Sequence, residues 1–180
     1  SLFATSCSKD NPPQPEKLPD ATTIGANTAG CYINGQLLIP KNGTSSISGF
    51  PIYGLEYMVG PYFGNPSFDK YFYLKINDNN TRRNYLYLHL PTLINGSGNY
   101  SIGQSNGEYG LDGPNNPDVI VYVKGSNNIF KTYYSGQDAE VITITRFDFP
   151  LFSGIFNCTF YKRDNPSETC KVTDGSFNIN

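Results

Sequence analysis

Tyr85-Leu86-Tyr87-Leu88-His89-Leu90 is a six-residue stretch in which every second residue is leucine. Successive side chains of a β-strand point to opposite faces, so the pattern predicts a strand with its leucines in the core. Tyr85, Tyr87 and His89 are then expected on the outer face.

Similar short runs recur along the chain between clusters of Gly, Asn and Pro, and no long window keeps a helical period. The composition agrees: 14 Tyr, 12 Phe, 18 Gly and 13 Pro stand against one Met and no Trp. The predicted strands include Cys31 to Ile33, Gln36 to Pro40, Leu55 to Val59, Tyr71 to Asn77, Asn84 to Leu90, Tyr100 to Gly103, Val119 to Lys124, Ile129 to Tyr134, Glu140 to Phe147, Ile155 to Tyr161 and Lys171 to Ile179. About ten short strands in one domain indicate an all-β sandwich or barrel, and we expect a single-domain antiparallel β-sandwich.

Turn residues support this arrangement. Asn34-Gly35 between two apolar runs predicts a type I′ hairpin, because both central positions of that turn need a positive φ. Asp78-Asn79-Asn80 and Gly125-Ser126-Asn127-Asn128 are further candidate hairpin loops.

The N-terminal segment has the pattern of a bacterial lipoprotein signal. A short apolar run, Leu2-Phe3-Ala4, is followed by two small residues and then Cys7. A lipoprotein signal peptidase cleaves before such a cysteine, which is then acylated. We therefore expect residual signal peptide over residues 1–6, the lipidated cysteine and an extended Pro-rich tether over 7–20, and the β-sandwich over 21–180. The alternative is a free cysteine in a disordered arm.

Charge and hydropathy exclude other classes. The net charge is −2 and the basic residues are scattered, which argues against a nucleic-acid partner. No apolar run approaches eighteen residues, so we expect a soluble folded body without a transmembrane helix. Membrane attachment would then depend on the lipid on Cys7.

Catalytic patterns are weak. His89 is the only histidine, and no Gly-x-Ser-x-Gly elbow occurs. The acidic residues that could serve a glycosidase form no recognisable pattern: Glu56, Asp69, Glu108, Glu140 and Asp148. We therefore predict no enzyme activity and no cofactor.

Metal sites are also weakly indicated, since no cysteine spacing resembles a zinc site. The loop Asn106 to Asp118 is rich in Asp, Asn and Gly, the chemistry that calcium prefers. A solvated loop is favoured over a calcium site, and a loop of this length can also form a binding surface. We predict no metal, with calcium binding by this loop left open.

Three cysteines remain after Cys7 is assigned to lipid. Setting Cys158 opposite Cys170 in the last hairpin also aligns Phe156 with Val172, so we predict a Cys158–Cys170 disulfide. The alternative is a pair of reduced core cysteines, and Cys31 is expected to be buried in either case.

Aromatic residues concentrate in Tyr71-Phe72-Tyr73 and Tyr85-x-Tyr87. These rings could form a surface on which a sugar stacks, although the chain lacks Trp. The favoured interpretation is strands with one ring in the core and the next on the surface.

Segments near both ends resemble a known family. They are Leu18 to Gly35, Ile144 to Asp148, Phe152 to Phe156 and Thr173 to Phe177. They are similar to a family of Bacteroidota, chiefly flavobacterial, outer-membrane lipoproteins known as a domain of unknown function. The resemblance implies no catalytic residues. It implies a tight turn at Asp174-Gly175 before the last strand, and structural polar contacts for Arg146 and Asp148.

The same resemblance implies a location. Ser8, Lys9 and Asp10 after Cys7 look like the signal that exports lipoproteins of that phylum to the outer face of the outer membrane. The alternative is anchoring on the periplasmic face.

These observations together predict a non-catalytic, lipid-anchored surface β-sandwich. We expect an accessory subunit or binding module of an outer-membrane protein complex, or a module for an extracellular ligand. The alternative is a glycan-binding accessory lipoprotein for polysaccharide uptake, and a hydrolase is the least favoured.

Overall fold

The computed structural model of the chain describes residues 16–45, 47–60, 71–81, 84–90, 96–105, 118–127, 129–137 and 140–180. These residues form thirteen β-strands and no helix. The strands are β1 Thr28–Ile33, β2 Gln36–Leu38, β3 Gly43–Thr44, β4 Pro51–Ile52, β5 Leu55–Gly60, β6 Tyr71–Asn77, β7 Asn84–Leu90, β8 Gly98–Ile102, β9 Asp118–Lys124, β10 Phe130–Ser135, β11 Glu140–Asp148, β12 Leu151–Lys162 and β13 Asn165–Ile179. Because they contain no helix, the described ranges also contain no helical segment able to cross a membrane.

Two antiparallel layers build the domain. The front sheet has the order β5-β6-β7-β9-β10, and the back sheet has the order β2-β1-β13-β12-β11-β8. Strand β12 connects them, because its first part pairs with β11 whereas Phe160 and Tyr161 pair with β10. The sheets do not close into a barrel, so the predicted all-β sandwich class is confirmed. Strands β3 and β4 form a separate two-stranded ladder.

The core lies between the two sheets. The front sheet contributes alternate residues of β6 and β7, including Phe72, Leu74 and Leu88, and the leucines of the opening stretch are buried as predicted. From the back sheet, Phe177 stacks on Phe72 with the ring centroids 5.1 Å apart. This contact ties β13 to the front sheet.

The predicted strands are all present. The bounds of β6 and β7 match the prediction at both ends, whereas β12 and β13 extend well beyond it. Strands β3 and β4 were not predicted, because two residues are too few for an alternation to show.

The predicted hairpin turn is confirmed. Asn34 and Gly35 have φ angles of 48° and 76°, and they join Ile33 to its partner Gln36. The Asn34 side chain also accepts a hydrogen bond from the Lys171 backbone N–H at 2.8 Å. The other two predicted loops connect β6 to β7 and β9 to β10, both of which are antiparallel pairs.

Asp174-Gly175 does not form the expected turn before the last strand. It lies inside β13, where Asp174 has a φ of 53° and the pairing with β12 shifts by one residue. The Asp174 N–H donates to the Asn157 side-chain oxygen at 2.8 Å, which stabilises this β-bulge. Asp174, which has a positive φ, therefore bends β13 and does not reverse the direction of the chain.

Beside the bulge, two glycines oppose two phenylalanines. Gly175 pairs with Phe156, and Gly154 pairs with Phe177 on the same two strands. Each ring lies over the glycine opposite it, at positions that a Cβ atom would occupy. The glycines therefore make room for the two rings that fill this part of the core.

The predicted Cys158–Cys170 disulfide is wrong. Cys158 stands opposite Val172, and Cys170 stands opposite Phe160, so the two cysteines are diagonal neighbours. Diagonal residues have Cα atoms about 7–8 Å apart, beyond the reach of a disulfide. Both thiols and that of Cys31 are free and buried, as the alternative proposed. Burial raises the pKa of Cys158 and of Cys170 to about 12, and raises the pKa of Cys31 further.

The first described residues lie against the sandwich. The Glu16 carboxylate is 2.6 Å from the Lys41 ammonium, and Leu18 packs against Gly30. Further along, the Gly25 N–H donates to the Asn178 side chain at 2.7 Å. Residues 16–25 thus contact the back sheet at several points.

Candidate binding surface

The outer side of the front sheet carries a group of large side chains that we call the aromatic face: Met58, Tyr73, Tyr85, Tyr87 and Phe130. Cross-strand pairing places Met58 opposite Tyr73, and alternation along β7 places Tyr85 and Tyr87 on the same side. Phe72 lies in the core and its neighbour Tyr73 lies on the outer side. This agrees with the favoured interpretation, in which the rings of this strand alternate between core and surface.

The rings of this face touch one another. Ring centroids are 6.0 Å apart for Tyr73 and Tyr87, 5.8 Å for Tyr85 and Tyr87, and 5.6 Å for Tyr85 and Phe130. The Lys75 ammonium lies 5.6 Å above Tyr87, within cation–π range. A depression of about 320 Å³ borders the rings of β7 and Phe130. The rings thus form a contiguous cluster whose central ring, Tyr87, is only 9% exposed.

The rim of the aromatic face is open to solvent. Met58 is 44% exposed and Phe130 is 42% exposed, and Ile129 beside it is 62% exposed. Large apolar side chains clustered on one exposed face mark a surface for binding.

The outer side of the back sheet differs. Its central positions are mostly small or polar, such as Thr143, Asn157, Thr159 and Lys171, with two exposed aliphatic residues, Val141 and Ile155, among them. Thr143 donates to the Asn99 side chain at 2.9 Å across β11 and β8. The two outer faces of the sandwich are therefore chemically distinct.

His89 lies on the same side of β7 as Tyr85 and Tyr87, but it is only 3% exposed. The side predicted for His89 is therefore correct, and its low exposure shows that β7 is covered on both sides at this position. Alternation along a strand predicts to which side a side chain points. It does not predict whether other parts of the chain cover that side.

The candidate catalytic carboxylates of the described residues have structural partners. Glu56 is 3.0 Å from the Lys75 ammonium, and Glu140 accepts a hydrogen bond from the Thr159 N–H at 2.9 Å. Asp148 is 3.0 Å from Arg146, so the structural contact implied for these two residues is confirmed. Among the described residues, no three His, Cys, Asp or Glu side chains come together as a metal site.

A second feature, which we call the end cleft, lies where β10 and β12 end. It has a volume of about 400 Å³ and is lined by Gln104, Ser105, Tyr134, Ser135, Tyr161 and Arg163, together with Gly136, Gln137, Lys162 and Pro166. Three segments far apart in sequence meet here, and the Ser105 N–H donates to the Ser135 carbonyl at 3.1 Å to join two of them.

Two tyrosines form one wall of the end cleft. Tyr134 and Tyr161 are a cross-strand pair, and the guanidinium of Arg163 lies 4.7 Å above the Tyr134 ring. Gly136 packs against Tyr161, because a Cβ atom there would lie 2.7 Å from two ring carbons. The positions of these rings are thus restricted by neighbouring contacts.

A charged cluster borders the cleft. Glu168 accepts hydrogen bonds from the Lys131 ammonium at 2.6 Å and the Tyr133 hydroxyl at 2.8 Å. These two bonds, the first above all, lower the pKa of Glu168. Burial and the bond to Glu168 raise the pKa of Tyr133 to about 12. Lys162 lies 3.2 Å from Asp164 and 3.8 Å from Glu168.

The hydroxyl of Ser135 is a further notable group. The residue is 4% exposed, and its Oγ has no hydrogen-bond partner in the part of the chain that the structure describes. A buried hydroxyl without a partner costs about 1–3 kcal/mol. Alternation with Tyr134 and pairing with the buried Phe160 place this hydroxyl on the core side of β10.

Other predicted site residues lie outside the described ranges. These are Cys7, Ser8, Lys9, Asp10 and Asp69, and the candidate calcium loop, which includes Glu108, apart from Asp118. The end cleft was not predicted, because its residues come from separate segments and carry no local motif.

Comparison of the chain with family models, curated proteins and solved structures found no match.

Proposed function

We propose that this chain is a non-catalytic binding module, anchored by lipid on Cys7 to the outer membrane and displayed on the cell surface. Its partner is a protein of an outer-membrane complex, and the aromatic face is where that partner docks. The sequence supports the location through Cys7 and the following Ser8-Lys9-Asp10.

The contiguity of the aromatic face carries the proposal. Tyr, Phe and Met are enriched in the cores of protein interfaces, and here they stand together with an exposed rim. Among the described residues of this face, Lys75 and Glu56 form an ion pair, so these two charges neutralise each other. A partner with an apolar patch can therefore cover the face without burying an unpaired charge.

The polar back sheet provides the contrast. Phe130 on the aromatic face and Ile155 on the back sheet are 42% and 43% exposed, so they offer a similar exposed fraction. Only Phe130 lies among other rings. A docking partner is therefore expected to discriminate between the two positions.

The proposal is tested by placing a photo-activatable amino acid at position 130 or 155 of the full-length lipoprotein in its native cells. We expect one discrete adduct with an outer-membrane protein from position 130 and none from 155. Adducts of equal yield from both positions, or none from position 130, would overturn it.

A matched pair of substitutions makes the test quantitative. Phe130→Ser should weaken binding of the purified adduct partner by about tenfold or more, as expected for an interface aromatic residue. Ile155→Ser should leave that affinity unchanged. Equal losses would indicate that the variants act through the fold.

A further inference from the structure

We propose that the hairpin of β3 and β4 inserts its exposed apolar side chains into the lipid surface to which Cys7 anchors the chain. The inference rests on the lipid anchor of the proposed function, and it adds a second, non-covalent attachment. We call the side chains concerned the apolar tip: Ile47, Phe50 and Tyr53.

The apolar tip is strongly exposed. Ile47 is 97% exposed and Phe50 is 71% exposed, and Tyr53 is also an exposed residue. The hairpin forms its own two-stranded ladder and extends neither sheet. Residues 42–55 contain no charged side chain. Large apolar side chains on an uncharged projection mark a binding surface, and a lipid interface accepts Ile, Phe and Tyr without a complementary pocket.

The backbone of the turn is hydrogen-bonded within the hairpin. The Ser45 N–H donates to the Phe50 carbonyl at 2.9 Å, and the Gly49 N–H donates to the Ser45 carbonyl at 3.0 Å. The Ser45 hydroxyl accepts from the N–H groups of Ile47 and Ser48 at 3.4 and 3.3 Å. A peptide group that leaves water without a partner is costly, so these bonds lower the penalty for entering lipid.

The hairpin lies where the tether meets the domain. Glu16, the first described residue, is 2.6 Å from the Lys41 ammonium, and Lys41 immediately precedes the hairpin. Behind the hairpin, the Gly54 N–H donates to the Asn42 side chain at 2.9 Å. From Cys7 to Glu16 the chain advances nine residues, which span at most about 30 Å. A lipid on Cys7 therefore holds this end of the sandwich within that distance of the membrane.

The hairpin is also fixed to the front sheet. The Asn79 side chain in the turn after β6 donates to the Ile52 carbonyl at 3.3 Å, and Gly43 packs against Asn79. Ile52 in turn borders the depression beside Phe130 on the aromatic face. Insertion of the apolar tip would therefore set the orientation of the aromatic face relative to the membrane surface.

Phe149 provides a matched control. It lies in the turn between β11 and β12 and is 85% exposed, so it is at least as accessible as Phe50. Strand β6 shows that the two positions lie at opposite ends of the domain. The end of β6 adjoins the hairpin, whereas Phe72 at its start stacks on Phe177, in the part of β13 that pairs with the first residues of β12.

The test uses tryptophan fluorescence, because the chain has no Trp of its own. The full-length Phe50→Trp and Phe149→Trp proteins are coupled through Cys7 to a maleimide lipid in phosphatidylcholine vesicles. The other three thiols are buried, so the coupling is selective. This anchor does not depend on acylation in cells. An unmodified Cys7 in native cells would refute the proposed anchor, and an unquenched probe on the coupled chain would refute the insertion.

We expect the emission of Phe50→Trp to shift to shorter wavelength and to be quenched by lipids brominated in their acyl chains. Phe149→Trp should show neither effect. Added phosphatidylglycerol or salt should change neither result, because the hairpin carries no charge. Absence of quenching at position 50, or equal quenching at both positions, would overturn the proposal. A shift without quenching that grows with protein density would identify a second copy of the chain as the occupant instead.

A second substitution tests the apolar tip as a unit. Ile47→Ser in the Phe50→Trp protein should lower the ratio of inserted to free tip about tenfold, since less apolar surface is buried in lipid. The unfolding free energy should not change, because Ile47 is almost fully exposed in the folded chain. Unchanged quenching in this variant would contradict insertion through the apolar tip.

Discussion

Replacing Gly175 by alanine tests the pairing of glycine and phenylalanine at the centre of the back sheet. The φ angle of Gly175 lies outside the left-handed region, so the backbone itself tolerates alanine. The new methyl group would meet three ring carbons of Phe156, with Cδ2 and Cζ at 2.5 and 2.6 Å. Unstrained carbons lie about 3.5 Å apart or more, so the ring would have to move by about 1 Å.

The magnitude follows from the burial of that ring. Phe156 is 1% exposed and packs within the core, so it has little room to move. Overpacking of this kind costs about 1–3 kcal/mol. Alanine recovers about 0.4–1 kcal/mol by restricting the unfolded chain. We expect a net destabilisation of about 1–2 kcal/mol, or about 2–8 °C in Tm for a domain of this size.

Urea denaturation with a double-mutant cycle measures the effect. The unfolding free energy should fall in Gly175→Ala while the m-value stays constant. Phe156→Leu removes the ring, so the same Gly175→Ala change should cost much less in that background. A neutral or stabilising Gly175→Ala, or an equal cost in both backgrounds, would refute the reasoning.

Three further predictions concern the turn, the charged cluster and the thiols. Gly35→Ala should cost about 1 kcal/mol in urea denaturation, because alanine is strained at a φ of 76° although no atom lies within 4 Å of its Cβ. Glu168 has a lowered pKa when folded, so the unfolded chain takes up its proton first as the pH falls. Its contribution to stability is therefore complete above its ordinary pKa of 4.5 and is lost as the pH falls from there through the lower pKa of the folded state, so Glu168→Gln should flatten the acid limb of stability measured against pH. In a Cys7→Ser protein, a thiol reagent should find no reactive cysteine in the native state and three after denaturation, and an air-oxidised sample that loses two thiols would contradict the register of β12 and β13.

The sequence predicted the elements well and their register less well. Alternation in Tyr85 to Leu90 and turn chemistry at Asn34-Gly35 are local signals, and both were confirmed. The position of Cys158 relative to Cys170 depends on the register of β12 and β13, which is irregular between Tyr161 and Lys162 on the hairpin side of the cysteines. Alternation along each strand does not specify this register, so the predicted disulfide failed with it.

The two candidate sites also differ in how far the sequence alone could predict them. The Tyr-rich segments predicted an outward row of rings, since period-two alternation is visible along each strand. Contacts between Tyr85 and Phe130 require the sheet order, which no local pattern contains. The end cleft joins three segments that are distant in sequence, so only the folded chain brings Gln104, Tyr134 and Tyr161 together.

Strands β12 and β13 have a consequence for the order of events during folding. β13 pairs with β1 from the beginning of the described chain, and β12 pairs with strands of both sheets. The back sheet cannot be completed until residues 151–179 have left the ribosome, so β1 and the core side of the front sheet must wait without their partners. A topology dominated by such distant pairings folds slowly. Shortening the chain by its last strand should therefore leave an aggregation-prone polypeptide and no partly folded sandwich.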